Sequence, residues 1–178
     1  MQIFIYGGTS SGKSALAERF LCGLEAERKI YIATMQPFDK EDEDKIERHR
    51  KMRQGKGFET VEQYTNLSSI AVDSGCAVLL ECLANLTANE MFSSDAFNAQ
   101  EAVLSGLASL KQKVKHLIIV SCDICSDGVL YAPETLEYQR LLAQLNRCIA
   151  SDSDICAETV CAIPIFLKGE DLCTSLGL

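Results

Sequence analysis

Apolar residues come in short dense runs, separated by stretches with helical spacing. The first run is Gln-Ile-Phe-Ile-Tyr at residues 2–6, and the second is Lys29 to Thr34. Two further runs, Cys76 to Cys82 and His116 to Ser121, are almost continuously apolar. That is the pattern of parallel strands covered on both faces. Between the runs the period changes. Residues 13–25 set Ala15, Leu16, Phe20, Leu21 and Leu24 near a 3.6-residue repeat, which predicts a helix. Residues 40–53 predict a second helix, started by Pro37 and Asp39 and ended by Gly55 and Gly57. Its acids crowd the front and its bases the back, matching the helix dipole. A short strand is expected over 58–62 and a short helix over 66–72. Longer helices are expected over 83–94, 97–114 and 134–151, the last after a loop with Asp127, Gly128 and Pro133. Thr159 to Leu167 reads as one closing strand, placed near an edge by Pro164. The tail after Lys168 is expected to be loosely held.

Strands alternating with helices predict a three-layer α/β domain with a mostly parallel central sheet, spanning 1–178 as one unit. Such sheets bind ligands beyond the carboxyl ends of their strands. The positions at those ends are the loop after the first strand, then Ala33, Thr34 and Met35, then Glu81, then Asp123. All are expected to face one crevice.

The loop after the first strand is Gly7, Gly8, Thr9, Ser10, Ser11, Gly12, Lys13 and Ser14. It reads G-x-x-x-x-G-K-S, the phosphate-binding P-loop, in its required strand–loop–helix setting. The glycines permit backbone closed to residues with a Cβ, and the loop N–H groups turn inward around an anion. The following helix points its unpaired N–H groups and positive dipole end at the phosphates. Lys13 adds a charge near the β- and γ-phosphates, and Ser14 offers a hydroxyl to Mg²⁺. Glu81 is the only charge in its apolar run, and a carboxylate there suits Mg²⁺ too. The fold is therefore expected to be P-loop nucleoside triphosphate hydrolase-like, with the phosphates of a nucleotide held by this loop.

Composition narrows the partners. The chain has 178 residues, 47% of them apolar, so a packed globule is expected. A net charge of −8 argues against nonspecific attraction to nucleic acid or anionic lipid. No apolar run approaches a membrane span, and no signal peptide is expected because the first residues enter a strand. Nine scattered cysteines suggest reduced thiols in the cytoplasm. Cys122-Asp-Ile-Cys125 is a single C-x-x-C without the second pair that a zinc site usually needs.

On the charged helix Ile46, His49, Arg50 and Arg53 share a face. A neutral imidazole is a nucleophile toward phosphorus, and arginines beside it offset triphosphate charge. The plainer alternative is a solvated helix with an incidental histidine.

Several motifs together resemble one family. They are Gly-Gly-x-x-Ser-Gly-Lys-Ser, Tyr31-Ile-Ala-Thr34, Arg48-His-Arg50, Thr60-Val-Glu62 and Leu79-Leu-Glu-Cys82, and more weakly Ile165-Phe-Leu-Lys168. The chain resembles the bifunctional adenosylcobinamide kinase/adenosylcobinamide-phosphate guanylyltransferases of cobalamin biosynthesis. The resemblance implies a cytoplasmic homotrimer with two activities. One phosphorylates adenosylcobinamide, a corrinoid; the other passes GMP from GTP to that phosphate through a GMP-histidine intermediate. It implies that the intermediate forms on His49. It also implies that Arg50, Lys51, Met52, Arg53, Glu62 and Glu81 contact nucleotide alongside the P-loop and Ala33–Met35. The stretch Cys122 to Pro133 is longer than the family pattern and lacks most of it. The following helix keeps Asn146 but loses other family residues. These departures bear on corrinoid and intersubunit contacts. Two other readings stay open: a P-loop kinase for another small substrate, and a nucleotide-binding regulatory protein without transferase chemistry.

Overall fold

A computed structural model describes residues 1–37, 40–93, 98–124 and 128–177, without the side chains of residues 41, 45 and 52. Seven strands form one sheet in the order β3-β2-β4-β5-β1-β6-β7. They are β1 (Gln2–Gly7), β2 (Arg28–Ala33), β3 (Glu59–Glu62), β4 (Cys76–Glu81), β5 (His116–Cys122), β6 (Ile155–Val160) and β7 (Ile163–Lys168). Every pairing is parallel except β6 with β7. The helices are α1 (Lys13–Gly23), α2 (Lys40–Arg53), α3 (Leu83–Phe92), α4 (Ala99–Lys113), α5 (Pro133–Asp152) and α6 (Glu170–Ser175). Helix α1 packs on β1, β4 and β5, while α3 packs with α4 and α5. This is the three-layer, mostly parallel arrangement that the alternation predicts.

The core follows from the continuous apolar runs. Residues 76–80 of β4 and 117–120 of β5 are wholly buried, as are Ile3 and Ile5 of β1. Each large aliphatic side chain buried this way contributes roughly 1.5–3 kcal/mol. Strand β1 lies inside the sheet, between β5 and β6, so its carboxyl end opens within the row of strand ends and not at a flank. Helix α2 is different. Among its described side chains only Arg53 is buried.

Three expectations fail. Residues 66–72 hold only a single 3₁₀ turn at Leu67–Ser69. The expected strand over 159–167 is a hairpin of β6 and β7, turning at Cys161 and Ala162 with φ of 49° and 63°. Both residues take the left-handed region that Asn-Gly usually supplies in a two-residue turn, so the local signal is missing. The edge assignment holds, because Pro164 sits on the outermost strand β7. The tail is also ordered, since α6 docks with Cys173 buried. Asp39, Asp127 and Cys125, named above as loop and motif residues, lie outside the described residues.

Candidate nucleotide site

The P-loop lies between β1 and α1. Gly12 has φ of 95° and leads directly into α1. Gly7 is required for space instead: a Cβ there would stand 2.6 Å from Ser11 Oγ and 2.8 Å from the Thr159 carbonyl. The hairpin turn closes against the loop. Ala162 N–H donates to the Ser11 carbonyl at 2.8 Å, and a Cβ on Gly12 would meet Ala162 Cα at 2.9 Å. Lys13 is buried, and its Nζ donates to the Gly8 carbonyl at 2.9 Å. A cation in the first turn of a helix is disfavoured unless an anion offsets it.

A cleft of about 950 Å³ opens beyond this loop. Thr9 to Ser14 line it, together with Ala33, Met35, His49, Arg50, Arg53, Glu62 and Glu81. Register explains part of this set. Tyr31 pairs with Leu79 and Ala33 with Glu81, so the strand ends present one face toward α1. Ser14 Oγ donates to Glu81 Oε1 at 2.7 Å, while Glu81 Oε2 is sealed from solvent and has no partner. Burial pushes the Glu81 carboxyl up to about 7, against the opposing pull of Ser14 and Lys13. Stability from the neutral carboxyl is fully present below about 4.5 and is lost as pH rises through about 7. Ligand-free Glu81→Gln should therefore gain on the wild type by about 3 kcal/mol between pH 4 and pH 9. Urea melts in EDTA test this, and parallel stability curves for the two proteins would refute it.

Helix α2 brings its predicted face into the cleft, with Ile46, His49, Arg50 and Arg53 all lining it. Arg53 lies 3.9 Å above the Tyr31 ring, a cation–π contact. Arg50 pairs with Glu62 of β3, and that partner holds the Glu62 carboxyl below its ordinary range. Past the helix end, Lys56 pairs with the buried carboxylate of Glu18 on α1. Charged groups thus tie α2 down where apolar packing is scarce. His49 is half-buried. Burial first, then Arg53 and Arg48, lowers its pKa, which keeps the imidazole neutral and nucleophilic at neutral pH.

The sequence pattern of the cobinamide kinase / cobinamide phosphate guanyltransferase family matches residues 3–167. The chain belongs to this family. Bifunctional adenosylcobalamin biosynthesis protein CobP of Pseudomonas aeruginosa is 31% identical over 181 aligned residues, covering 97% of this chain and 100% of that protein. Two solved structures also align. The bacteriophage phi6 P4 protein in complex with ADP has a TM-score of 0.45 and 8% identity, over 92% of this chain and 52% of that one. The flagellar accessory protein FlaH of Methanocaldococcus jannaschii has a TM-score of 0.45 and 14% identity, over 94% of this chain and 77% of that one. The kinase and guanylyltransferase activities implied by the resemblance are those of the family.

In this cobinamide kinase/guanylyltransferase some expected positions fall away from the cleft. Thr34 is buried. Its Oγ1 donates to the Cys82 carbonyl and accepts from the Cys82 N–H, both at 2.8 Å, so it braces the strand end carrying Glu81. Lys51 points elsewhere and pairs with Glu47 at 3.7 Å. The side chain of Met52 lies outside the described residues. Asp123 does not line the cleft; its backbone N–H donates to the Gly7 carbonyl at 3.1 Å. Asn146 accepts from Ser121 Oγ at 2.7 Å, which ties α5 to β5.

Other groups at the cleft carry little sequence signal. Tyr31, Cys82, Asn85 and Cys122 line it. A hydrogen bond from Cys82 and the nearby Lys13 lower the Cys122 thiol pKa. Only the strand pairing that sets β4 beside β5 reveals the contact between these cysteines. Glu18 of α1 is 2% exposed, although no motif in the sequence marks it.

Proposed function

We propose that the protein phosphorylates adenosylcobinamide and then transfers GMP to adenosylcobinamide phosphate, in cobalamin biosynthesis, through a covalent adduct on His49. The observation carrying this reading is a neutral, half-buried imidazole in the P-loop cleft, flanked by Arg53 and Lys13. Gly7 to Ser14 would hold the nucleotide phosphates, with Ala33, Met35, Arg50, Arg53 and Glu62 around them. ATP or GTP serves as phosphoryl donor and GTP as guanylyl donor.

Mg²⁺ fits the residues present. Ser14 Oγ and the partnerless Oε2 of Glu81 are the donors that would hold it, directly or through water. Two protein oxygens suffice for a cation that keeps waters and takes phosphate oxygens. When bound, it offsets charge on the phosphates. The chain's own groups do the rest. Lys13 and Arg53 neutralise triphosphate charge, and His49 supplies the electron pair that attacks the α-phosphorus as pyrophosphate leaves. The ionic tethers of α2 suit a helix that repositions its imidazole between the two steps, attack on GTP and delivery of GMP to the corrinoid phosphate.

The assembly we propose is a homotrimer in the cytoplasm. Ile163, Ile165 and Leu167 lie exposed on one face of the edge strand β7, an apolar stripe suited to self-association. The described cysteines form no disulfide with one another, in keeping with a reducing compartment. No described helix is long and apolar enough to cross a membrane. Sedimentation equilibrium at micromolar protein should give three times the chain mass, and a monomer would remove the trimer from the proposal.

The test of the transfer chemistry uses GTP labelled at the α-phosphate. With magnesium, the protein should retain an acid-labile label that chases into corrinoid when adenosylcobinamide phosphate is added. Mass spectrometry should place one guanylyl group on the peptide containing His49. Label that stays on protein during the chase would count against the transfer step.

A further inference from the structure

Three polar atoms from α1 and α2 are sealed from solvent without partners: Glu18 Oε1, His49 Nδ1 and Arg53 Nε. Leaving such an atom unmatched costs about 1–3 kcal/mol. Two of them are on α2 and one is an acceptor on α1. Their placement follows from helix spacing. His49 and Arg53 are four residues apart on one face of α2, and Ser14 and Glu18 are four apart on one face of α1. Ser14 reaches Glu81, while Arg53 stacks on Tyr31, one strand-repeat behind Ala33, the residue that pairs with Glu81. Glu18 and Arg53 both act electrostatically on the Tyr31 hydroxyl. The charges acting on His49 are Arg53 and Arg48 of its own helix, and Lys13 and Glu18 of α1. Glu18 is the acid among them. Its other oxygen, Oε2, is held by Lys56.

We infer that Glu18 is a positioning residue for guanylyl transfer, whose Oε1 accepts the Nδ1–H of His49 while the imidazole carries GMP. This rests on the His49 adduct proposed above. The sealed Nδ1 leaves Nε2 as the nitrogen that a nucleotide can reach. For Nε2 to hold a free electron pair, the neutral ring must carry its proton on Nδ1. On attack, the bond from Nε2 to the α-phosphorus forms and the bond from that phosphorus to the β-bridging oxygen breaks. Pyrophosphate leaves with the electron pair. The ring keeps its Nδ1 proton and becomes cationic, and the Glu18 carboxylate faces the new charge. When the corrinoid phosphate oxygen takes the guanylyl group, the electron pair returns to Nε2. The proton stays on Nδ1 throughout, so Glu18 neither gives nor takes one. A buried carboxylate that orients a histidine and fixes its tautomer has this effect in other active sites.

The experiment exploits the presence of only two histidines, His49 and His116. Long-range ¹H–¹⁵N spectra of histidine-labelled full-length protein should show His49 with its proton on Nδ1, and His116 serves as internal reference. Glu18→Gln should shift the His49 tautomer balance and slow adduct formation from GTP roughly 10–100-fold, chiefly in kcat rather than KM. Glu18→Asp should restore part of that rate. Lys56→Met, which keeps the carboxylate and removes its tie, should retain the wild-type tautomer. Labelling of Glu18→Gln at the wild-type rate with an unchanged His49 spectrum would overturn the inference alone. So would Lys56→Met reproducing the loss of Glu18→Gln, because the carboxylate would then only be pinning α2. Wild-type protein that forms no adduct would instead overturn the parent reading, and this inference with it.

Discussion

His49→Ala should leave no covalent label when the protein is incubated with α-labelled GTP and magnesium. Removing the nucleophile of a covalent mechanism typically costs a factor of about 10⁴ or more, beyond the reach of a labelling assay. The basic groups beside it cannot take over. The guanidinium groups of Arg53 and Arg48 offer donors and no free electron pair, and Lys13 is already engaged by the P-loop backbone. The substitution also removes a half-buried ring from a helix with little apolar anchorage, so α2 should loosen while the sheet does not. Thermal melting should therefore shift by only a few degrees. Phosphoryl transfer from the γ-phosphate needs no imidazole nucleophile and should fall several-fold at most. A His49→Ala protein that still becomes guanylylated would move the nucleophile to another residue. Loss of both activities with nucleotide binding intact would mean that the histidine serves the shared chemistry of the cleft.

Gly12→Ala should damage both the stability of the protein and its hold on nucleotide. The residue needs φ of 95°, which costs an L-residue about 1–2 kcal/mol. The added carbon also meets Ala162 backbone at 2.9 Å, where no flexible side chain can give way. Together these should lower stability by roughly 2–4 kcal/mol and weaken nucleotide binding at least tenfold, because the loop must leave the hairpin turn. Calorimetric titration with GTP and thermal melting measure the two effects. Ala162→Gly added to Gly12→Ala removes one contacting carbon but not the backbone strain, so it should recover part of the loss. Wild-type nucleotide affinity in Gly12→Ala would show that the hairpin does not support the loop.

Where the sequence misleads, the cause is contact at a distance along the chain. The P-loop was legible because its chemistry is local: glycines, lysine and serine lie within eight consecutive residues. The central strands were legible because a strand covered on both faces has no polar side to show. The hairpin of β6 and β7 was not, because Cys161 and Ala162 are poor formers of its turn. They are held there by the first loop of the chain, as the bond from Ala162 to Ser11 indicates. The face of α2 can be drawn from helical spacing, and Ile46, His49, Arg50 and Arg53 all line the cleft. Its opposite wall could not. Nothing in the spacing of α1 separates Glu18 from a solvated acid until Lys56 arrives from beyond Gly55. Thr34 illustrates the reverse error. It follows a strand end as a ligand-binding residue does, but its hydroxyl is spent on the Cys82 backbone.

The seating of Ala162 on Ser11 also bears on how the molecule is made. Strand β1 is synthesised before both of its neighbours, one of which is β6, and the turn that braces its loop comes later still. A nascent chain released from the ribosome only as far as α5 would hold every residue of the phosphate motif and lack the wall behind it. Nucleotide therefore has its finished berth only once the turn at Cys161 and Ala162 has been made, and it would stabilise chains that include that turn over chains cut before it.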